Sequence, residues 1–70
     1  MKILDIIHLV NASLVGARVR LFTVKDELKK LTWIITYYYS DGREYPFMIE
    51  LASDHNRSCW ANREDFEVLP

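Results

Sequence analysis

The stretch TWIITYYYSDGREYPFMIEL, residues 32–51, decides the fold. Its first eight residues are all β-branched or aromatic, the side chains that suit a pleated surface, so 32–39 is expected to be a strand. Ser40-Asp41-Gly42-Arg43 then reads as a hairpin turn, because Asp-Gly tolerates the positive φ angles of tight hairpin loops. The next segment alternates. Tyr45, Phe47, Ile49 and Leu51 are expected on one face, with Glu44, Pro46, Met48 and Glu50 on the other. Pro46 has no N–H for a ladder, which restricts its position to an edge or a bulge. In 32–39 the same period puts Thr32, Ile34, Thr36 and Tyr38 on one face and Trp33, Ile35, Tyr37 and Tyr39 on the other. Large side chains thus occupy both faces.

Working outward toward the N-terminus, residues 17–24 also alternate, Val19 and Leu21 against Arg18 and Arg20. Residues 25–30, Lys-Asp-Glu-Leu-Lys-Lys, form a polar connection, either a loop or one helical turn. Before Gly16 the period is helical. Ile3, Ile6, Ile7, Val10 and Leu14 share a face opposite Lys2, Asp5, His8 and Ala12, which predicts an amphipathic helix at about 2–14. A strand is the competing reading of that segment. Gly16 stands where a helix ends in a left-handed turn. Toward the C-terminus, 52–57 reads as a polar turn, 58–61 as a short strand, 62–65 as a tight helical turn and 66–69 as a last strand.

The order is a helix followed by five short strands, with a single turn before the last. Gly16-Ala17-Arg18-Val19-Arg20-Leu21 resembles the Gly-x-x-Val-x-Leu first strand of small SH3-like barrels, including the KOW and Tudor types. Cys59-Trp60-Ala61 with Glu64-Asp65-Phe66-Glu67-Val68-Leu69 resembles the closing strands of small bacterial and phage barrels of the YodC type. The resemblance covers residues 16–69 and implies a five-stranded SH3-like barrel over about 17–69 within a single domain, 1–70. The helix departs from the minimal barrel. The alternative is an α+β fold with the helix packed on an antiparallel sheet.

Seventy residues leave room for one domain, and half of them are apolar, which favours a folded globule with surplus apolar surface. Nine basic and ten acidic residues give a charge of −1, without the concentrated positive field that phosphate backbones attract. The lone Cys59 forms no internal disulfide and fits a reducing compartment. Asp5 and His8 break the N-terminal apolar run, which is too short for a signal core or a membrane span, so a soluble cytoplasmic protein without membrane contact is expected.

Asp54-His55-Asn56-Arg57-Ser58-Cys59 holds the residue types of a thiol nucleophile, its base and an orienting group. A hairpin turn in so small a domain supplies little pocket, and Cys59 beside Trp60 is expected to be a core residue. One Cys and two His do not make a structural zinc site, and two glycines make no phosphate loop. No enzyme activity, metal or cofactor is expected.

The aromatic stretch carries the functional expectation. A central strand, a protein interface and a stacking platform each account for rings on both faces. The expected function is a non-enzymatic protein-binding module, of the kind a bacterium or phage would use to inhibit or modulate a larger host protein. Its expected contact residues are Trp33, Tyr37, Tyr39, Arg18 and Arg20. One alternative is a nucleic-acid-binding regulator using Arg18, Arg20, Lys29 and Lys30 beside the aromatics. The other is a structural homo-oligomer, a homodimer in the simplest case.

Overall fold

The computed structural model describes residues 2–70. Helix α1 (Ile3–Ala12) leads into β1 (Arg18–Leu21), the short helix α2 (Asp26–Lys29), β2 (Trp33–Tyr38), β3 (Phe47–Leu51), β4 (Asp54–Ala61), a 3-10 turn (Arg63–Asp65) and β5 (Phe66–Val68). The strands form one antiparallel sheet in the order β4-β3-β2-β1-β5. The protein is mainly β with an N-terminal helix. The sheet is not closed: β4 and β5 are its two edges, so a sealed barrel is not what these residues form, and the α+β description fits.

The alternations of the sequence become the core wherever they run unbroken. Val19 and Leu21 of β1, Trp33 and Ile35 of β2, Phe47, Ile49 and Leu51 of β3, Ala61 of β4 and Phe66 of β5 are all buried on one side. Each large member contributes about 1.5–3 kcal/mol by leaving water. Phe47 is central, with ring centroids 5.1 Å from Phe66 and 5.0 Å from Tyr38. Leu14, Val24 and Leu28 pack on the margin.

The connections follow local chemistry. Gly16 has φ +93°, the left-handed value expected of it, and its N–H donates to the Ile35 carbonyl at 2.7 Å, which ties the end of the α1 connection to β2. Asn62 caps the 3-10 turn: its side chain accepts from the turn's backbone while the Asp65 carboxylate accepts from the Asn62 N–H at 2.8 Å. The polar 25–30 segment forms one helical turn, with Leu28 and Lys29 N–H groups donating to the Lys25 carbonyl.

Three expectations are corrected. The turn between the central strands is longer than Ser40–Arg43, because the Tyr39 N–H bonds the Pro46 carbonyl at 2.8 Å and the ladder resumes only at Phe47. Tyr45 therefore lies in the loop, half exposed, and not on the core face. β4 starts at Asp54, since Leu51 pairs with Asp54 across the two residues Ala52-Ser53. Most of the expected polar turn at 52–57 is thus strand.

The third correction concerns α1. The helix expected at about 2–14 ends at Ala12; of the residues read as its apolar face, Ile3, Ile6, Ile7 and Val10 stay exposed and only Leu14, beyond the helix end, reaches the core margin. The helix meets the sheet through polar groups, His8 Nδ1 lying 2.6 Å from the Tyr38 hydroxyl and Asn11 Nδ2 donating to the same oxygen at 3.4 Å. Helical periodicity says which side of a helix is apolar, not what covers it.

Candidate functional site

A bulge in β2 builds the candidate site. Trp33 pairs with Leu51, Ile34 with Glu50 and Ile35 with Ile49, but the next pair is Tyr37 with Met48, so Thr36 is an extra residue on its strand. Its hydroxyl donates to the Met48 carbonyl at 3.2 Å. An extra residue reverses the facing of everything after it. Trp33 and Ile35 point into the core, and after the bulge Tyr38 does so, leaving Tyr37 outside. The expected grouping of Trp33 with Tyr37 and Tyr39 is therefore corrected. Trp33 is 3% exposed, and its Nε1 donates to the Leu28 carbonyl at 3.3 Å.

On the outer face, Met48 pairs with Tyr37 on one side and Trp60 on the other, so three strands carry Tyr37, Met48 and Trp60 in one cross-strand row. Tyr39 closes the row from the loop, its ring centroid 4.4 Å from Tyr37 and 5.4 Å from Trp60. Such tilted, offset pairs are favourable beyond their area alone. The Arg43 guanidinium stands 4.0 Å from the Tyr39 centroid and 5.3 Å from that of Trp60, within cation–π range of both.

Asp41 fixes that arginine. Its Oδ2 accepts from Arg43 Nη2 at 2.7 Å and its Oδ1 from Nε at 2.9 Å, while Oδ1 also lies 3.2 Å from the Arg43 backbone nitrogen. The hydrogen bond from the guanidinium holds the Asp41 carboxyl below the usual carboxylate range, and Asp41 in turn raises Arg43. A lowered carboxyl favours the folded loop at pH values above the unfolded carboxylate range, and the benefit fades as acid titrates the folded Asp41. Gly42, between the two, takes φ +86°, which only glycine adopts readily. A shallow recess runs past Asp41, Arg43, Glu44, Tyr45 and Trp60. Tyr37 is 55% exposed, Tyr45 48% and Trp60 45%.

The other expected contact residues lie elsewhere on the outer face. Arg18 is opposite Ile34 and Arg20 opposite Glu67, and both point away from the core. Arg20 Nη1 pairs with Glu67 Oε1 at 3.0 Å, and Lys29 Nζ with Asp26 Oδ1 at 3.3 Å. Lys30 is exposed after α2. The structure thus brings Tyr37 and Tyr39 together, sends Trp33 inward and keeps Arg18 and Arg20 beside other partners.

Reading the sequence alone missed Trp60, Met48, Arg43 and Asp41. A signal for Trp60 existed: Cys59 and Ala61 are small apolar residues flanking it, and alternation with those two inward turns Trp60 outward.

Cys59 lies opposite Ile49 and packs at the margin of the core. Burial pushes its thiol up, and the charge of Asp65 adds to the effect. His55 Nδ1 sits 3.2 Å from Glu50 Oε1. Among the described residues, no three His, Cys, Asp or Glu side chains are grouped to hold a metal ion. A raised thiol pKa leaves little thiolate at neutral pH. Cys59 is accordingly expected to react with Ellman's reagent roughly tenfold or more slower in the folded protein than in urea. Equal rates would remove Cys59 from the packed side of the sheet.

No helix among the described residues is long and apolar enough to cross a membrane. No family model, curated protein or solved structure matches the chain.

Proposed function

We infer that the protein is a non-enzymatic binding module that docks on another protein through the outer face bearing Tyr37, Tyr39, Met48, Trp60 and Arg43. One observation carries this reading: four large side chains and an arginine are stacked in order on a sheet face where they do no work for the core. Trp, Tyr and Arg are the residue types in which binding energy concentrates at protein interfaces. The Asp41 clamp and the mutual stacking restrain their rotamers in advance, which reduces the ordering cost of association.

Charge supports a protein partner over a nucleic acid. Arg43 is matched by Asp41, Arg20 by Glu67 and Lys29 by Asp26, which halves the four basic residues, Arg18, Arg20, Lys29 and Lys30, that a nucleic acid would use. The finer reading is a small SH3-like module from a bacterium or phage that occupies a surface of a larger host protein. The strand order, with a single 3-10 turn before β5, supports the SH3-like part.

The test is parallel affinity capture from a host lysate with the native chain and with the Tyr37→Ser/Tyr39→Ser variant. Both sites are outside the core, so the variant is expected to keep its circular dichroism and unfolding midpoint. The account expects a captured protein with the native chain and its loss with the folded variant. An identical set of captured proteins from both would overturn the assignment of this face.

A further inference from the structure

Helix α1 is held to the sheet at one point. It buries no residue, and of its ten residues only His8 and Asn11 are partly covered. Among the described residues, the hydrogen bonds from its side chains to the sheet all end on the Tyr38 hydroxyl. His8 Nδ1 lies 2.6 Å from that oxygen, and Asn11 Nδ2 donates to it at 3.4 Å. The same side of the helix opens into a groove lined by Asp5, His8, Leu9, Ala12, Tyr38 and Ser40.

The chain is anchored again directly after the helix. Leu14 packs at the core margin, the Gly16 N–H donates to the Ile35 carbonyl at 2.7 Å, and the Ala17 carbonyl accepts from the Ile35 N–H at 3.1 Å. Ser13 alone separates the end of the helix from this fixed chain. A ten-residue helix is marginal by itself in water, and its β-branched Ile and Val weaken it further. A segment with few buried apolar contacts and exposed backbone hydrogen bonds opens at a free energy well below that of the whole fold.

We propose that α1 is a latched strap: it opens about Ser13 as a unit while the sheet stays folded, and the Tyr38 side chain is its latch. His8 and Asn11 grip that side chain, and its hydroxyl takes both polar contacts. The His8 and Tyr38 ring centroids are 5.9 Å apart, so the rings add to the same contact and make no second one. Opening leaves the core intact. The Tyr38 ring packs on Phe47 at 5.0 Å between centroids, and α1 supplies no core residue. The latch is separate from the docking face, because Tyr38 turns inward between Tyr37 and Tyr39, whose rings stack on the outer side. Once undocked, residues 3–12 lose their helix, having no packing to sustain it. They then hang as a flexible segment from the core-packed Leu14.

Hydrogen exchange of the native chain, followed residue by residue by NMR, tests this. Backbone amides of α1 are expected to exchange roughly a hundredfold or more faster than those of β2 and β3. Tyr38→Phe keeps the ring on the core and removes the hydroxyl. It is expected to speed α1 exchange about two- to tenfold, the range for one lost hydrogen bond, and to leave β2 and β3 unchanged. His8→Ala is expected to do the same. Alanine is the better helix former, so faster exchange in that variant reports a lost contact and not a weaker helix. Native α1 amides that exchange in step with the sheet overturn the proposal. So does either variant that leaves α1 exchange as it is in the native chain, or that speeds the sheet along with it.

Discussion

Phe47→Ala is expected to cost the fold about 3–5 kcal/mol, the largest loss of any single substitution in the core. Phe47 is fully buried, opens β3, and touches rings from β2 and β5. Truncating a buried phenylalanine costs about 3–5 kcal/mol, from lost transfer energy plus the cavity left behind. A domain of this size holds roughly 3–10 kcal/mol in total. The core has only nine buried members, so few neighbours can move into the gap. Urea unfolding followed by circular dichroism checks the expectation. A loss below about 1 kcal/mol would mean that Phe47 is not the centre of the packing.

Trp60→Ala is expected to weaken partner binding by about thirtyfold or more, the loss typical of a central aromatic anchor, while costing little stability. Trp60 is the last ring of the cross-strand row and the second ring under Arg43. Its removal takes away the recess wall and frees Arg43 on one side. It is nearly half exposed, so the sheet loses little by its truncation. The contrast between the two substitutions separates the two sides of the sheet. Phe47→Ala acts through folding and Trp60→Ala through association. A Trp60→Ala variant that binds the captured partner as the native chain does would refute the role of the row.

The five strands were legible because each contains at least two core residues at a spacing of two, or sits beside a strand that does. Val19 and Leu21 in β1 and Phe47, Ile49 and Leu51 in β3 read directly from the sequence and are buried as read. Gly16 and the Asn62–Asp65 turn were legible for a different reason, since their backbone chemistry is local. The facing of Tyr37 was not. Period-two reading carries a face along a strand without any mark of an inserted residue, and Thr36 is a good strand residue that gives no sign of one. The bulge is a property of pairing with Met48, a contact twelve residues away. Arg43 was hidden similarly. Its ion pair with Asp41 is short-range, but its stacking on Trp60 depends on the β3–β4 register. The outward turn of α1 was hidden because the helix meets Tyr38, whose hydroxyl contacts His8 and Asn11 and whose ring lies 5.9 Å from that of His8, across a long sequence separation.

The chain contains two tryptophans, one on each side of the sheet, which permits a direct test of the outward aromatic face. In a Trp33→Phe variant all tryptophan emission comes from Trp60. Titrated with the captured partner, that emission is expected to move to the blue and to lose its quenching by acrylamide, having been readily quenched in the free protein. Trp60 emission that is already protected in the free single copy, or that is quenched equally with and without the partner, would contradict the account.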